Sequence, residues 1–418
     1  MENKKLKVGN VPPLRFPGFE GEWQTKRLGD LLEFKNGINA SKEQYGKGIK
    51  FINVLDILNN NFITYDNIIG RVDVNTTIAN KYSVQYGDIL FQRSSETREE
   101  VGTANVYLDK EKSATFGGFV IRGKKIGDYN PIFFNKLLKT KSARESITSK
   151  SGGSTRYNVG QEILTSVSLC FPSLSEQKKI SHFLSLIDER IQTQNKIIEQ
   201  LETLIKGLRE KLFSQEARFR EFKDEWKLKS LREVGETFNG LSGKTKDNFG
   251  IGKPYIQYKQ IFDSSKIQIE NCGLVEILET ENQNNVQYGD VFFTISSETP
   301  NEIGMSSVLL DEVSEMYLNS FCFGYRPLSS QILNPLFSSY LFRSSTFRNE
   351  IVKLAQGSTR YNMSKIELMK LTILLPCLEE QIFIAKLLNS IDIKIETEKK
   401  ILEEYHSQKQ YLLQNLFI

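Results

Sequence analysis

The sequence predicts an α+β protein: two pseudo-symmetric globular α/β domains joined by two long antiparallel coiled-coil helices. Three observations carry this. The chain repeats itself at long range, with GSTRYN at 153 to 158 recurring unchanged at 357 to 362. Each copy closes on a stretch whose apolar residues recur in alternating steps of four and three. Each copy also holds short runs rich in β-branched and aromatic residues, separated by Gly and Asn turns.

The helical stretch of the first copy places Ile180, Leu184, Ile187, Ile191, Gln194, Ile198 and Leu201 on one narrow seam, continued by Ile205, Leu208 and Leu212. Adding 204 gives Ile384, Leu388, Ile391, Ile395, Glu398 and Leu402, continued by Tyr405, Lys409, Leu412 and Leu416. A heptad seam needs a partner helix, and the second copy supplies one. Pairing about a pseudo-twofold axis makes the two helices antiparallel. Gln194 and Glu398 then either meet near that axis as a register-fixing polar pair or face solvent at the seam edge. Gly207, unfavourable inside a helix, marks either a close backbone approach or fraying. At 1.5 Å per residue the seam from Ile180 to Leu212 spans roughly 48 Å, about 14 base pairs of B-DNA, so the rod has the dimensions of a ruler.

The boundaries that follow are a first globular domain at 1–170, a central heptad helix at 171–213, a second globular domain at 214–374 and a distal heptad helix at 375–418. Inside the domains KFINVLDIL, GDILFQ, NVYLD and GFVIRG read as strands. Asn130-Pro131 and Asn334-Pro335 each open a helix, with Asn as N-cap and Pro at the first helical position. VSLCFP and LTILLPCL read as buried strands before the long helices. SLSE at 173 to 176 has capping-box form, weakened in the second copy where Cys377 replaces Ser173.

Composition excludes several classes. The amino terminus, MENKKLKVGNVPPLRF, is basic without a signal-peptide core, and no apolar run is long enough for a membrane span, so a cytoplasmic protein without membrane contact is expected. Four cysteines at 170, 272, 322 and 377 have no metal-ligand spacing and suit small core positions in a reducing compartment. The two histidines, His182 and His406, fall on the heptad helices. GLSGKT at 240 to 245 has two residues between its glycines where a phosphate-binding loop needs four, and reads as a basic turn. NPIF and NPLF lack the second proline of an adenine-methyltransferase motif and are explained as helix starts. No catalytic residues and no metal site are therefore assigned.

A net charge of +4 is too small to identify a nucleic-acid binder, so local patches must carry that argument. Residues 139 to 156 and 343 to 360 are basic runs, the first holding Lys139, Lys141, Arg144, Lys150 and Arg156, the second Arg343, Arg348, Lys353 and Arg360. Both end in a segment suited to phosphate contacts: Ser154, Thr155, Arg156, Tyr157 and Asn158, and again Ser358, Thr359, Arg360, Tyr361 and Asn362. Two copies that read different sequences must do so where they diverge. The base-reading candidates are Lys42, Gln44, Tyr45, Asn53, Arg93 and Arg98 in the first copy, and Lys244, Lys246, Gln257, Tyr258, Lys259 and Gln260 in the second.

With LRFPGFEGEW near its start, paired QYGDILF and QYGDVFF, paired GSTRYN, and PSLSEQKKI and PCLEEQIFI leading into long helices, the chain resembles the specificity subunit of type I restriction-modification enzymes. The resemblance covers nearly the whole chain. It implies that each globular part is a target recognition domain reading one half of a bipartite, asymmetric site in double-stranded DNA. It further implies that the helices set the spacing and dock two modification (methyltransferase) subunits and, through them, restriction/translocase subunits. S-adenosylmethionine, ATP and Mg would then belong to those partners, and this chain would have no catalytic site of its own. The alternative is a coiled-coil scaffold that binds proteins without reading DNA.

Overall fold

Leu174–Phe213 and Leu378–Asn415 are single helices of 40 and 38 residues in the computed structural model. The structure describes residues 9–418, so Met1 to Val8 of the basic amino terminus lie outside the described residues. The chain forms two compact units that do not follow the linear order of domain and helix. One unit is Met1–Asn195 with Ile401–Ile418, and the other is Lys196–Lys400. Each unit thus holds one globular domain, half of its own long helix and half of the other.

Within each unit the helices run antiparallel. In the first, Asp188 pairs with Lys409 at 2.7 Å and Arg190 reaches Tyr405 at 3.5 Å, so numbers rise on one helix as they fall on the other. Leu412 and Leu416 share a core there with Ile180, Leu184 and Ile187. In the second, Leu212 packs in one core with Ile384 and Leu388, and Lys399 pairs with Glu202 at 2.6 Å. Ile180, Leu184, Ile187, Ile191, Ile198, Ile384, Leu388 and Ile395 are buried, whereas Leu201, Ile391 and Leu402 are half-buried. Gln194 and Glu398 are each only 7% exposed, which corrects the reading of either as a solvent-facing seam edge. His182 and His406 are exposed on their helices. A Cβ on Gly207 would meet open space, so no close approach requires this glycine.

The domains repeat one another strand for strand. In the first, Leu32–Asn36, Val120–Lys125, Ile89–Gln92 and Ala104–Val106 form, in that order, an antiparallel four-stranded sheet; Arg71–Val72, Tyr45–Ile52 and Thr115–Phe116 form a three-stranded one. In the second, Gly235–Asn239, Cys322–Pro327, Val291–Thr294 and Ser306–Val308 make the larger sheet, and Gly273–Val275, Phe249–Ile256 and Tyr317–Leu318 the smaller. The long strand of the smaller sheet pairs antiparallel on one side and parallel on the other in both domains.

Asn130 and Asn334 cap their helices as expected, each accepting a backbone N–H three residues on at 3.0 Å. KFINVLDIL is not one strand. Its strand ends at Ile52, and Val54–Leu58 is a helix that starts where the Asp56 carboxylate accepts the Asn53 N–H at 2.7 Å. The strand in LTILLPCL buries Ile373 and Leu375 but exposes Leu374, so it is half-buried. Of the four thiols, Cys322 is buried and the other three are partly exposed.

The capping box at 173 to 176 is also corrected. Ser173 Oγ accepts the Glu176 N–H at 3.3 Å, but the Glu176 carboxylate does not turn back; it accepts both Nε and Nη2 of Arg15 at 2.8 Å. The second domain repeats this with Arg218 and Glu380 at 3.0 and 2.8 Å. The neighbouring glutamines, Gln177 and Gln381, accept the backbone N–H of Asn130 and Asn334. Each repeated Glu-Gln pair therefore ties the chain before its domain, and a loop within it, to the start of the helix after it.

Glu176 is 1% exposed, so Arg15→Ala should leave a buried carboxylate without its counter-charge and cost about 3 kcal/mol in denaturant unfolding. Adding Glu176→Gln should restore part of that loss, because a neutral amide needs no counter-ion. Gly207→Ala should stabilise the chain by up to about 1 kcal/mol, read as a raised unfolding midpoint; a lowered midpoint would show that the glycine is needed.

Candidate nucleic-acid interface

The repeated SSET and GSTRYN segments, 60 residues apart in sequence, meet in space. Tyr157 and Asn158 pair antiparallel with Ser95 and Ser94, and Tyr361 and Asn362 with Ser297 and Ser296. Gly152 and Asn158 exchange backbone hydrogen bonds at 3.1 and 2.8 Å, closing a tight hairpin, and Gln356 and Asn362 do the same. Gly153 and Gly357 sit at φ of +117° and +125°, where a Cβ would press on the carbonyl of Arg156 or Arg360 at 2.1 or 2.2 Å, so the turn requires glycine. Ser154, Thr155 and Arg156, like Ser358, Thr359 and Arg360, stand exposed at the tips, while Tyr157 and Tyr361 are half-buried against the domain and Asn158 and Asn362 are exposed in the ladder.

The buried arginines of the basic runs serve the fold, while Lys141 and Lys353 stay exposed. Arg343 donates to the carbonyls of Ser306, Ile261, Phe262 and Ser264, and Arg348 to those of Gly304, Ile303 and Asn301. Burial pushes both guanidinium groups down to about 10. Arg144 donates to Glu99 and Val101 and is likewise lowered by burial. Lys150 donates to Ser166 O at 2.8 Å, and Lys353 pairs with Glu350 at 2.6 Å. Arg144, Arg343 and Arg348 are therefore corrected from phosphate-facing to structural residues, and Arg156 and Arg360 stand at the hairpin tips.

The base-reading candidates separate into latches and exposed groups. Gln44 is a latch, its Oε1 accepting from Ser41 N and its Nε2 donating to Asp73 O, both at 2.9 Å. Lys244 is another, only 4% exposed at its side chain and held by Glu281 and the Glu276 carbonyl. Arg98 donates to the carbonyls of Thr148 and Ser149, and Gln260 donates to Gln268 O at 3.1 Å. Lys42, Lys246 and Gln257 are exposed. Tyr45 is 46% exposed with its ring edge-on to Phe51. Lys259 is exposed beside Asp263.

A second group converges beside the hairpins. Arg93 accepts from Val159 N, donates to Gly118 O at 3.4 Å, and takes its own N–H to Phe119 O. Asn53, at the start of the Val54–Leu58 helix, lies against Gly117. In the second domain Ile295 N bonds Phe321 O at 3.1 Å, and Tyr258, on the helix Tyr258–Asp263, donates to Ser296 O at 2.6 Å. Each domain thus gathers a shared hairpin, a short helix that differs between copies and an exposed phenylalanine at one edge. Phe119 and Phe321, 65% and 64% exposed, are absent from the candidates drawn from the sequence, because an aromatic in a strand-like run signals core. Also missed is the bulge between Tyr45 and Ile49, matched between Phe249 and Lys253, which presents Lys47 in one copy and Ile251 in the other. Among the described residues no group of three or more His, Cys, Asp or Glu is placed to hold a metal ion.

Type I restriction modification DNA specificity domains match the chain twice, over residues 20–203 and 223–405. The type I restriction enzyme MjaVIII specificity subunit of Methanocaldococcus jannaschii is 24% identical over 94% of this chain and 91% of its own length. The solved S subunit of a type I restriction-modification system from M. genitalium aligns over 98% of this chain and 99% of its own, at 17% identity and a TM-score of 0.54. The HsdS subunit from Thermoanaerobacter tengcongensis aligns over 96% of each chain, at 18% identity and a TM-score of 0.54. At such identities the structures share the fold. With both of its domains and most of its length matched by the specificity domain, this chain belongs to the specificity-subunit family of type I restriction-modification enzymes.

Proposed function

We propose that this specificity subunit recognises a bipartite, asymmetric site in double-stranded DNA, each domain reading one half, and that its long helices dock two modification subunits and, through them, restriction subunits. The observation that carries the reading is the pairing of an identical exposed hairpin with a diverged short helix at the same edge of both domains. Identical residues position a common backbone, and differing residues read different bases. As a specificity subunit the chain is a non-catalytic component of its complex. The methyl donor S-adenosylmethionine, ATP and Mg are assigned to the partner subunits, where adenine methylation, translocation and cleavage would take place. A cytoplasmic location is part of the same proposal; among the described residues no helix is long and apolar enough to cross a membrane.

Single-molecule sequencing for methylated adenine, in cells expressing this chain with its modification subunit and in cells lacking it, tests the reading directly. A new two-part methylated motif is expected, and a stable complex that leaves no new motif would favour the scaffold alternative. In binding assays with that complex, Arg156→Ala or Arg360→Ala should weaken affinity severalfold and reduce the salt dependence by about one phosphate contact. The preferred sequence should not change; a changed preference would remove these residues from the positioning role.

A further inference from the structure

The edge of the second domain contains a cleft of about 440 Å³ that brings together Tyr258, Phe262, Phe321, Glu298, Glu302 and Arg360. Tyr258 and Phe262, one turn apart on their helix, hold their rings nearly parallel at 17° with centroids 6.2 Å apart. The Tyr258 hydroxyl is already engaged by the Ser296 carbonyl, so the ring is fixed and its face, rather than its polar tip, is what the cleft offers. Phe321 stands 64% exposed on the rim, its turn pinned by Asn319 Oδ1 accepting the Phe321 N–H at 2.8 Å.

The charges in the cleft select among DNA groups. Two carboxylates repel phosphate oxygens but accept hydrogen bonds from the exocyclic amino group of cytosine, adenine or guanine. The single guanidinium, at the hairpin tip, suits the phosphate of the same nucleotide. Aromatic faces recognise base faces, and a base face is covered by its neighbours as long as the duplex stays stacked. Backbone-only binding would need neither the rings nor the glutamates.

We propose that this cleft takes one unstacked, amino-bearing nucleobase, adenine, cytosine or guanine rather than thymine, of the half-site read by the second domain. The inference rests on the DNA-reading function proposed above and adds to it a mode of recognition present in one domain. The first domain keeps Phe119, Arg156, Glu96 and Glu100 at the corresponding positions, but Val54 and Leu58 stand where Tyr258 and Phe262 do. It therefore lacks the ring pair.

The test uses the full chain assembled with its modification subunit and duplexes carrying the methylated motif. Placing 2-aminopurine at each position in turn should give, on binding, a fluorescence increase at one position of the second domain's half-site besides the methylated adenine, which the modification subunit unstacks for its own chemistry. Tyr258→Val with Phe262→Leu, the residues of the first domain, should abolish that increase and reduce discrimination at that position about tenfold, while preference in the other half-site is retained. Phe321→Ala, at an exposed position that the core does not need, should act in the same direction and guards against misfolding of the double variant. A wild-type complex that binds DNA without sequence preference would overturn both the cleft and the DNA-reading function. A wild-type complex with sequence preference but no unstacked position besides the methylated adenine, or variants that discriminate as the wild type does, would overturn the cleft alone.

Discussion

The architecture depends on one ion pair used twice. A carboxylate in the first turn of a long helix is favoured by the helix dipole, but Glu176 and Glu380, 1% and 0% exposed, are too deeply placed to stay charged without a partner. Arg15 and Arg218 supply it from the segments just before each domain, 161 and 162 residues ahead of the glutamates they pair with. The pair therefore brings the entry and exit of a domain to one point at the base of a rod. The same closure is visible a residue earlier. Ala217 N bonds Lys211 O at 3.0 Å across a short turn in the second unit; in the first, Leu14 N bonds Asn415 O at 2.9 Å between opposite ends of the sequence. The rings follow suit, with Phe213 against Trp226 and Phe337 in one unit and Phe417 against Trp23 and Phe133 in the other. The first unit thus borrows from the end of the chain what the second obtains from its middle.

A second anchor shows how much the copies may differ while keeping this geometry. Asp188 and Asp392 occupy equivalent places on their helices. Asp188 accepts from Lys136 at 2.6 Å and forms an ion pair with Lys409 at 2.7 Å; burial pushes its carboxyl up, but the two ammonium groups outweigh that and hold it below the usual range. Asp392 instead accepts from Tyr340 at 2.5 Å and Lys266 at 3.1 Å. Tyr340 replaces Lys136, and the cation, Lys266, comes from within the domain rather than from the paired helix. The acceptor is kept because both domains must be seated at that point; the donors vary because a carboxylate is satisfied from several directions.

The duplication, the seams and the Asn-Pro helix starts were legible in the sequence because each is a local or periodic signal. Gln194 and Glu398 had two readings because a seam shows where a residue points along one helix, not what covers it. The basic runs misled for a different reason. A guanidinium carries five donors on a long stem, so Arg144, Arg343 and Arg348 can each fasten two or more carbonyls that are distant in sequence. Composition does not distinguish that use from phosphate contact. The joining of SSET to GSTRYN was likewise invisible, since a two-residue ladder has no periodicity, and KFINVLDIL hid a helix start because Asn53 and Asp56 sit within an apolar run that suits a strand.

The helix at that start, with its counterpart at Tyr258–Asp263, shows why divergence concentrates where it does. Ile57 and Ile261, 2% and 0% exposed, are the same residue at the same position and root each helix in the small core of its domain. Around them the copies differ at every other place in the turn: Val54 against Tyr258, Leu55 against Lys259, Asp56 against Gln260, Leu58 against Phe262. In the second domain Ile261 is the one buried side chain of the helix, whereas in the first Asp56 is buried beside Ile57, and Val54 and Tyr258 pack partly on the same cores. The strand before the helix is fixed on both sides by its neighbours. Leu55 and Leu58, like Lys259, are left exposed and free of packing duty. An element fastened in this way and bordered by an invariant hairpin can change its chemistry without moving its backbone. A recognition surface needs that freedom if two domains with one frame are to read two different sequences.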